Sequence, residues 1–299
     1  MLSRRAFGRL SGFGAAGLCF TRSRAAWCAQ AEATDAALLA QVSVMLWTLK
    51  EGRSFEQRLD VVAQAGYRKI ELVDEWLHWT EQDYDRILAK MHTLGLAVDA
   101  MAGMKTGFAD PAQGEAFLAE LQALIPIAHR LRCPQVILLS GKRIEGLPPG
   151  HQYEASIETL RRAADLLRRE QMVGVIEPID RLENPSIYLD GVTEAFALTR
   201  AVANPHLKVL YDLYHEQRSQ GNLIEKMEKN IDQVGLIHVA DVPGRHEPGT
   251  GEINFGAIYR TLARLQYSAV IAMEFYPTGD AVETLRQARL DLVEVAGRK

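Results

Sequence analysis

Four strand-like runs in the second half of the chain each end at or near a residue that can bind a metal ion or move a proton. They are VGVIEP with Glu177, LKVLYDLYH with Asp212, VGLIHVAD with His238 and AVIAMEFYP with Glu274. Glu177 and Glu274 close runs that are otherwise apolar. A carboxylate so placed must be paired, metal-bound or protonated, because an unpaired buried charge is strongly destabilising. For Glu177 the structural alternative is a salt bridge to the nearby Arg181, whereas Glu274 has no basic residue close in sequence. His238 comes at the strand after Asp212, where a ligand neighbouring Asp212 would be needed. Two glutamates, an aspartate and a histidine with open positions suit a hard or borderline divalent ion: Mg2+ or Mn2+ first, then Co2+ or Zn2+.

Other residues cluster around this set. His215 follows Asp212 by three positions and leans toward the same mouth. The longest polar loop, Asp241 to Phe255, follows His238 directly, and its prolines and glycines set a fixed path. Within it, Arg245 is suited to clamp a substrate carboxylate bidentately. Trp47, early in the chain at a strand end, is placed to wall the pocket.

Side chains from four separate runs converge only if the runs are neighbouring parallel strands. Eight strand candidates recur along the chain: Val42 to Trp47, Lys69 to Val73, Ala97 to Met101, Gln135 to Ser140, Val173 to Ile179, Lys208 to Asp212, Val234 to Val239 and Ala269 to Phe275. Amphipathic helical stretches fill the gaps, among them Pro111 to Arg130, where the pattern predicts one continuous helix. In the stretch His151 to Arg169, Ile157, Leu160, Ala164 and Leu167 share one face, and Arg161, Arg162, Arg168 and Arg169 lie elsewhere on the wheel. Eight βα units predict an α/β protein, a single-domain (β/α)8 TIM barrel over residues 32–299, with its site at the C-terminal ends of the strands. The competing doubly wound sheet normally opens on a Gly-rich phosphate loop, and the first junction here, Trp47 to Gly52, is not one.

The first 31 residues differ from the rest. Arg4-Arg5 with Phe7, a short weakly apolar stretch and Ala29-Gln30-Ala31 read as a twin-arginine-type signal peptide, cleaved after Ala31, which predicts an exported, periplasmic protein. If the signal does not function, the location is cytoplasmic. The segment holds five arginines and no acid, so its removal takes the net charge from −4 to −9 and makes a nucleic-acid partner a poor fit. Cleavage also removes Cys19 and Cys28 and leaves Cys133 alone, which excludes an intramolecular disulfide. No apolar run approaches the length of a membrane span. A small-molecule partner is the expectation, and a homo-oligomer is left open.

The stretch ADVPGRHEPGTGEINF, with YDLYH and IEP, resembles the xylose-isomerase-like sugar isomerase and epimerase superfamily and, within it, the hydroxypyruvate isomerases. The likeness runs from about Val42 to Val295. It implies a metal-dependent aldose-ketose isomerase that interconverts hydroxypyruvate and 2-hydroxy-3-oxopropanoate through an enediolate, with Glu177 and Glu274 as the acid/base pair. The related ketose 3-epimerases imply Glu177, Asp212, His238 and Glu274 as the metal set, and Glu183 and His215 as substrate contacts. The chain departs from the resemblance at two points. His238 stands where hydroxypyruvate isomerases usually carry glutamine, and Asp180 to Tyr188 replaces an Asn-Arg and Pro-Gly-Tyr segment after IEP. A ketose 3-epimerase is the alternative activity. Less favoured are the endonuclease branch, expected to need more histidines and a basic groove, and an exported carbohydrate-binding barrel without catalysis.

Overall fold

A computed structural model describes residues 41–148 and 150–297. The expected signal peptide, residues 1–31, lies outside the described residues. Eight parallel strands close into one barrel in sequence order: β1 (Val42–Met45), β2 (Lys69–Leu72), β3 (Ala97–Met101), β4 (Gln135–Leu139), β5 (Val173–Glu177), β6 (Leu207–Asp212), β7 (Val234–Val239) and β8 (Val270–Met273). The TIM-barrel expectation is met. Both faces of each strand are covered, which is why the strands read as near-continuous Val, Ile and Leu. Side chains such as Met45, Ile137, Val175, Leu210 and Leu236 form one buried cluster, and the larger core lies between strands and helices.

Nine helices are described: α1 (Phe55–Gln64), α2 (Glu81–Leu94), α3 (Gly114–Leu131), α4 (His151–Arg169), α5 (Val192–Val202), α6 (Leu213–Ser219), α7 (Leu223–Asn230), α8 (Phe255–Arg264) and α9 (Ala281–Gly297). Capping boxes start two of them, Ser54 with Gln57 on α1 and Thr80 with Asp83 on α2. On α4, Leu160, Ala164 and Leu167 are buried as the periodicity requires.

Three expectations about local structure need correction, each for a local reason. The strand expected through Trp47 ends at Met45, and Leu46–Leu49 winds into a 3-10 turn in which the Thr48 hydroxyl donates to the Met45 carbonyl at 2.8 Å. The helix expected from Pro111 begins at Gly114, because the Asp110 carboxylate accepts the Ala112 amide at 2.8 Å and holds a turn ahead of it. The short α6 was not anticipated. Its only apolar residues are Leu213 and Tyr214, side by side at the start, so it shows no apolar stripe for a periodicity search to find.

Candidate metal and proton-transfer site

Strand register brings the four residues together. Asp212 pairs directly with His238 across β6 and β7, Glu177 ends β5 opposite Leu139, and Glu274 follows β8 with its amide donating to the Val239 carbonyl at 3.0 Å. Each of the four is buried, and one ligand atom from each lies within 4.8 Å of the others. The alternative partner for Glu177 is engaged elsewhere, since Arg181 sits 2.5 Å from Asp190.

The imidazole of His238 is held from behind. Its Nε2 lies 2.8 Å from Glu71 Oε2, and its Nδ1 faces the mouth, 2.6 Å from Glu274 Oε2, 3.8 Å from Glu177 and 4.0 Å from Asp212. Despite that close approach, His238 Nδ1 and Glu274 Oε2 are buried atoms without a correctly aligned hydrogen-bond partner. A nitrogen and an oxygen that share a point without hydrogen-bonding are disposed as two donors to a common cation. Three carboxylates and one imidazole also suit a divalent ion chemically. The cluster is therefore able to hold a metal.

Arg245 lies over the same carboxylates. Its Nη2 is 2.7 Å from Glu274 Oε2 and 3.1 Å from Asp212 Oδ2, and its Nη1 is 3.0 Å from Glu183 Oε1. The guanidinium is stacked between Trp47 and Tyr214, 5.5 and 4.9 Å from their ring centroids. Trp47 donates its indole N–H to Glu274 Oε1 at 2.9 Å and meets Tyr276 edge-on. The 3-10 turn is what swings Trp47 over the mouth. His215, on α6, gives Nδ1 to Asp180 at 2.7 Å and points Nε2 at Asp212 Oδ2, 3.6 Å away. Glu183 is partly exposed at the rim, between Arg245 and Arg218.

These surroundings drive the two glutamates apart. Burial raises Glu177 to about 7, with a further rise from Glu274 and a partial offset from His238. Burial also works to raise Glu274, but the charges of Arg245 and His238 overcome it and hold that carboxyl well below the usual range. Burial opposes charge on His238, yet Glu274 and Glu71 outweigh it and lift the imidazole well above its ordinary value. Pairs of titratable groups separated in this way are characteristic of acid/base sites.

Several contributors escaped the sequence reading. Glu71 sits in KIEL on β2, an acid in an apolar run like Glu177 and Glu274, so the same criterion would have found it. Asp180 orients His215. Asp241 organises the long loop: its buried carboxylate accepts the amides of Val242, Gly249, Gly251 and Ile253 at 2.8–3.0 Å. A side chain at Gly251 would sit 1.9 Å from the Val242 carbonyl, so only glycine fits that crossing.

Residues 59–291 match the family described as the xylose isomerase-like TIM barrel. The chain belongs to that family. Within it the chain is 31% identical to hydroxypyruvate isomerase from Escherichia coli (strain K12), over 75% of this chain and 88% of that protein. It is 30% identical to a putative hydroxypyruvate isomerase from Danio rerio, over 81% and 92% respectively. Among solved structures, AP endonuclease family 2 from Brucella melitensis superposes with a TM-score of 0.75 at 26% identity, covering 82% of this chain and 96% of that one. This member of the xylose isomerase-like family is hydroxypyruvate isomerase-like, and it is an enzyme of the aldose-ketose isomerase class. Among the described residues, no helix is long and apolar enough to cross a membrane.

Proposed function

We propose that the enzyme is a divalent-metal-dependent isomerase interconverting hydroxypyruvate and 2-hydroxy-3-oxopropanoate, or a closely similar small hydroxy-carbonyl acid. The observation that carries the reading is the pair of buried strand-end glutamates facing one point, within a cluster able to hold a divalent ion. The likeness to hydroxypyruvate isomerases supports the substrate class. Glu177, Asp212, His238 and Glu274 would hold the ion, which when bound supplies Lewis-acid polarisation of the substrate's carbonyl and hydroxyl oxygens. One of Glu177 and Glu274 takes the proton from the carbon bearing the hydroxyl, an enediolate forms, and the other returns a proton to the neighbouring carbon. The hydroxyl proton crosses to the former carbonyl oxygen, so the atoms balance, and the reverse reaction exchanges the roles of the two acids. Arg245 takes the substrate carboxylate, His215 and Glu183 contact its hydroxyls, and Trp47 walls the pocket against water.

A second reading, a ketose 3-epimerase, is favoured by one residue, His238 in place of glutamine. The acidic chain gives a DNA-cleaving function little support. The twin-arginine motif extends the proposal to an exported enzyme, whose mature N-terminus should read from Glu32. The deciding experiment is NMR of the mature protein with Mg2+ in D2O, given hydroxypyruvate or a panel of ketoses. Metal-dependent deuteration with aldehyde formation is the expected outcome. Exchange confined to ketoses, with inversion at C3, would establish the epimerase, and no exchange on any candidate would refute both.

A further inference from the structure

The barrel interior holds acids that the proposed reaction does not use. Glu71 on β2 is fully buried, and Asp99, next to β2 on β3, is nearly so. Ser43 on β1 donates to Asp99 Oδ1 at 2.5 Å. Buried carboxylates in an enclosed barrel are destabilising unless they are paired and hydrogen-bonded. The one side chain from the metal cluster that reaches them is His238, through its Nε2 contact of 2.8 Å with Glu71 Oε2.

We infer that Glu71 is a positioning residue: it accepts the Nε2 proton of His238 and so commits Nδ1, with its lone pair, to the metal. An imidazole has two nitrogens, and the partner of one decides the role of the other. Glu71 is the hydrogen-bond partner of Nε2, whereas Nδ1 has no aligned partner and points at the three carboxylates. The rest of the interior supports this assignment. Glu71 Oε1 and Asp99 Oδ2 are both buried and lack a hydrogen-bond partner. Burial, and then the charge of Glu71, raise Asp99 well above the usual carboxylate range. Asp99 therefore carries a proton it can give to Glu71, and Ser43 braces it from the opposite side. A chain of contacts thus runs from β1 through β3 and β2 to the ligand on β7, across the full width of the barrel.

The inference rests on the reading that the cluster holds a divalent ion, and the test separates the two. Mn2+ binding to the metal-free full chain is measured by calorimetry for the parent, Glu71→Gln and Glu71→Leu. Glutamine still accepts the Nε2 proton through its carbonyl but carries no charge, and leucine removes the acceptor. The expected losses in affinity are about tenfold for Glu71→Gln and about 100-fold for Glu71→Leu, the range seen when the partner of a metal-bound histidine is removed. A second readout reports the ring itself. In the Zn2+-loaded parent with 15N-labelled histidine, the His238 signals should show a protonated Nε2 and a metal-bound Nδ1. Glu71→Gln should retain that pattern and Glu71→Leu should lose it, an effect that general loosening of the barrel would not produce selectively. If Glu71→Leu does not fold, the His238 tautomer in the parent and in Glu71→Gln still decides the matter. A parent that binds no Mn2+ overturns the metal reading and this inference with it. A parent that binds while Glu71→Leu binds equally well, or whose His238 is protonated at Nδ1, overturns this inference alone.

Discussion

Replacing either of the two glutamates proposed as acid and base by its amide should cut turnover alike but move stability in opposite directions. Glu177 is raised from 4.5 to about 7 by burial, so its ionised form is disfavoured in the folded state. For an acid shifted this way, the folded chain binds more protons than the unfolded one between those two values. Stability is therefore lost as pH rises from 4.5 to about 7, and the loss persists above that. At pH 8 the shift corresponds to about 3 kcal/mol, at 1.36 kcal/mol per unit. Glu177→Gln removes that cost. In the metal-free chain its Tm should be unchanged or higher, by up to roughly 10 °C, and the gain should vanish near pH 5, where the parent carboxyl is protonated. Glu274 is the opposite case. It neutralises Arg245 at 2.7 Å and His238 at 2.6 Å and accepts the Trp47 indole at 2.9 Å. Glu274→Gln leaves two buried cations without their partner, which costs about 3–5 kcal/mol and lowers Tm by roughly 6–15 °C. Thermal unfolding in a chelator across pH 5 to 8, with turnover measured at saturating metal, is the assay. Both variants should lose at least ~100-fold in kcat. Equal losses of stability in the two variants would refute the assignment of an unpaired, proton-holding Glu177 beside a charge-paired Glu274.

Because Glu177 holds a proton to about 7 and His238 to well above its ordinary value, metal binding must displace protons. Calorimetry in buffers of different ionisation enthalpy should find protons released on binding, more per ion at pH 6 than at pH 8, with affinity rising as pH rises. Arg245→Gln should raise KM for a carboxylate-bearing substrate by about 100-fold, the worth of a charge-assisted pair, and leave a neutral analogue such as dihydroxyacetone much less affected. An equal loss on both would show that Arg245 acts on the protein's own acids alone. Asp241→Ala strips the acceptor from four loop amides. It should lower stability by about 3 kcal/mol and reduce kcat/KM at least ~10-fold through misplacement of Arg245, and a loop that keeps both values would contradict the hub role.

Much of this enzyme is legible in its residues because parallel strands buried on both faces admit almost no polar residue without a reason. Glu177, Asp212, His238 and Glu274 break otherwise apolar runs, and eight such runs separated by helical periodicity imply a barrel, which places strand ends around a common axis. The same logic was available for Glu71 in KIEL, where an acid in a strand signals a partner without naming it. What the one-dimensional pattern cannot contain is the partner's identity. That Nε2 of His238 meets Glu71, 167 positions away, follows from barrel closure and the register of β1 through β8. Likewise Arg245, read as a hand for substrate, rests on Asp212, Glu274 and Glu183, because the loop hung from Asp241 brings its guanidinium over the carboxylates. Trp47 reaches Glu274, 227 positions on, only because Leu46–Leu49 leaves the strand as a 3-10 turn. The sequence by itself determined which groups are present and which elements carry them. The tertiary structure decided their distances, and with distance the charges, because burial and neighbouring charge act through space rather than along the chain.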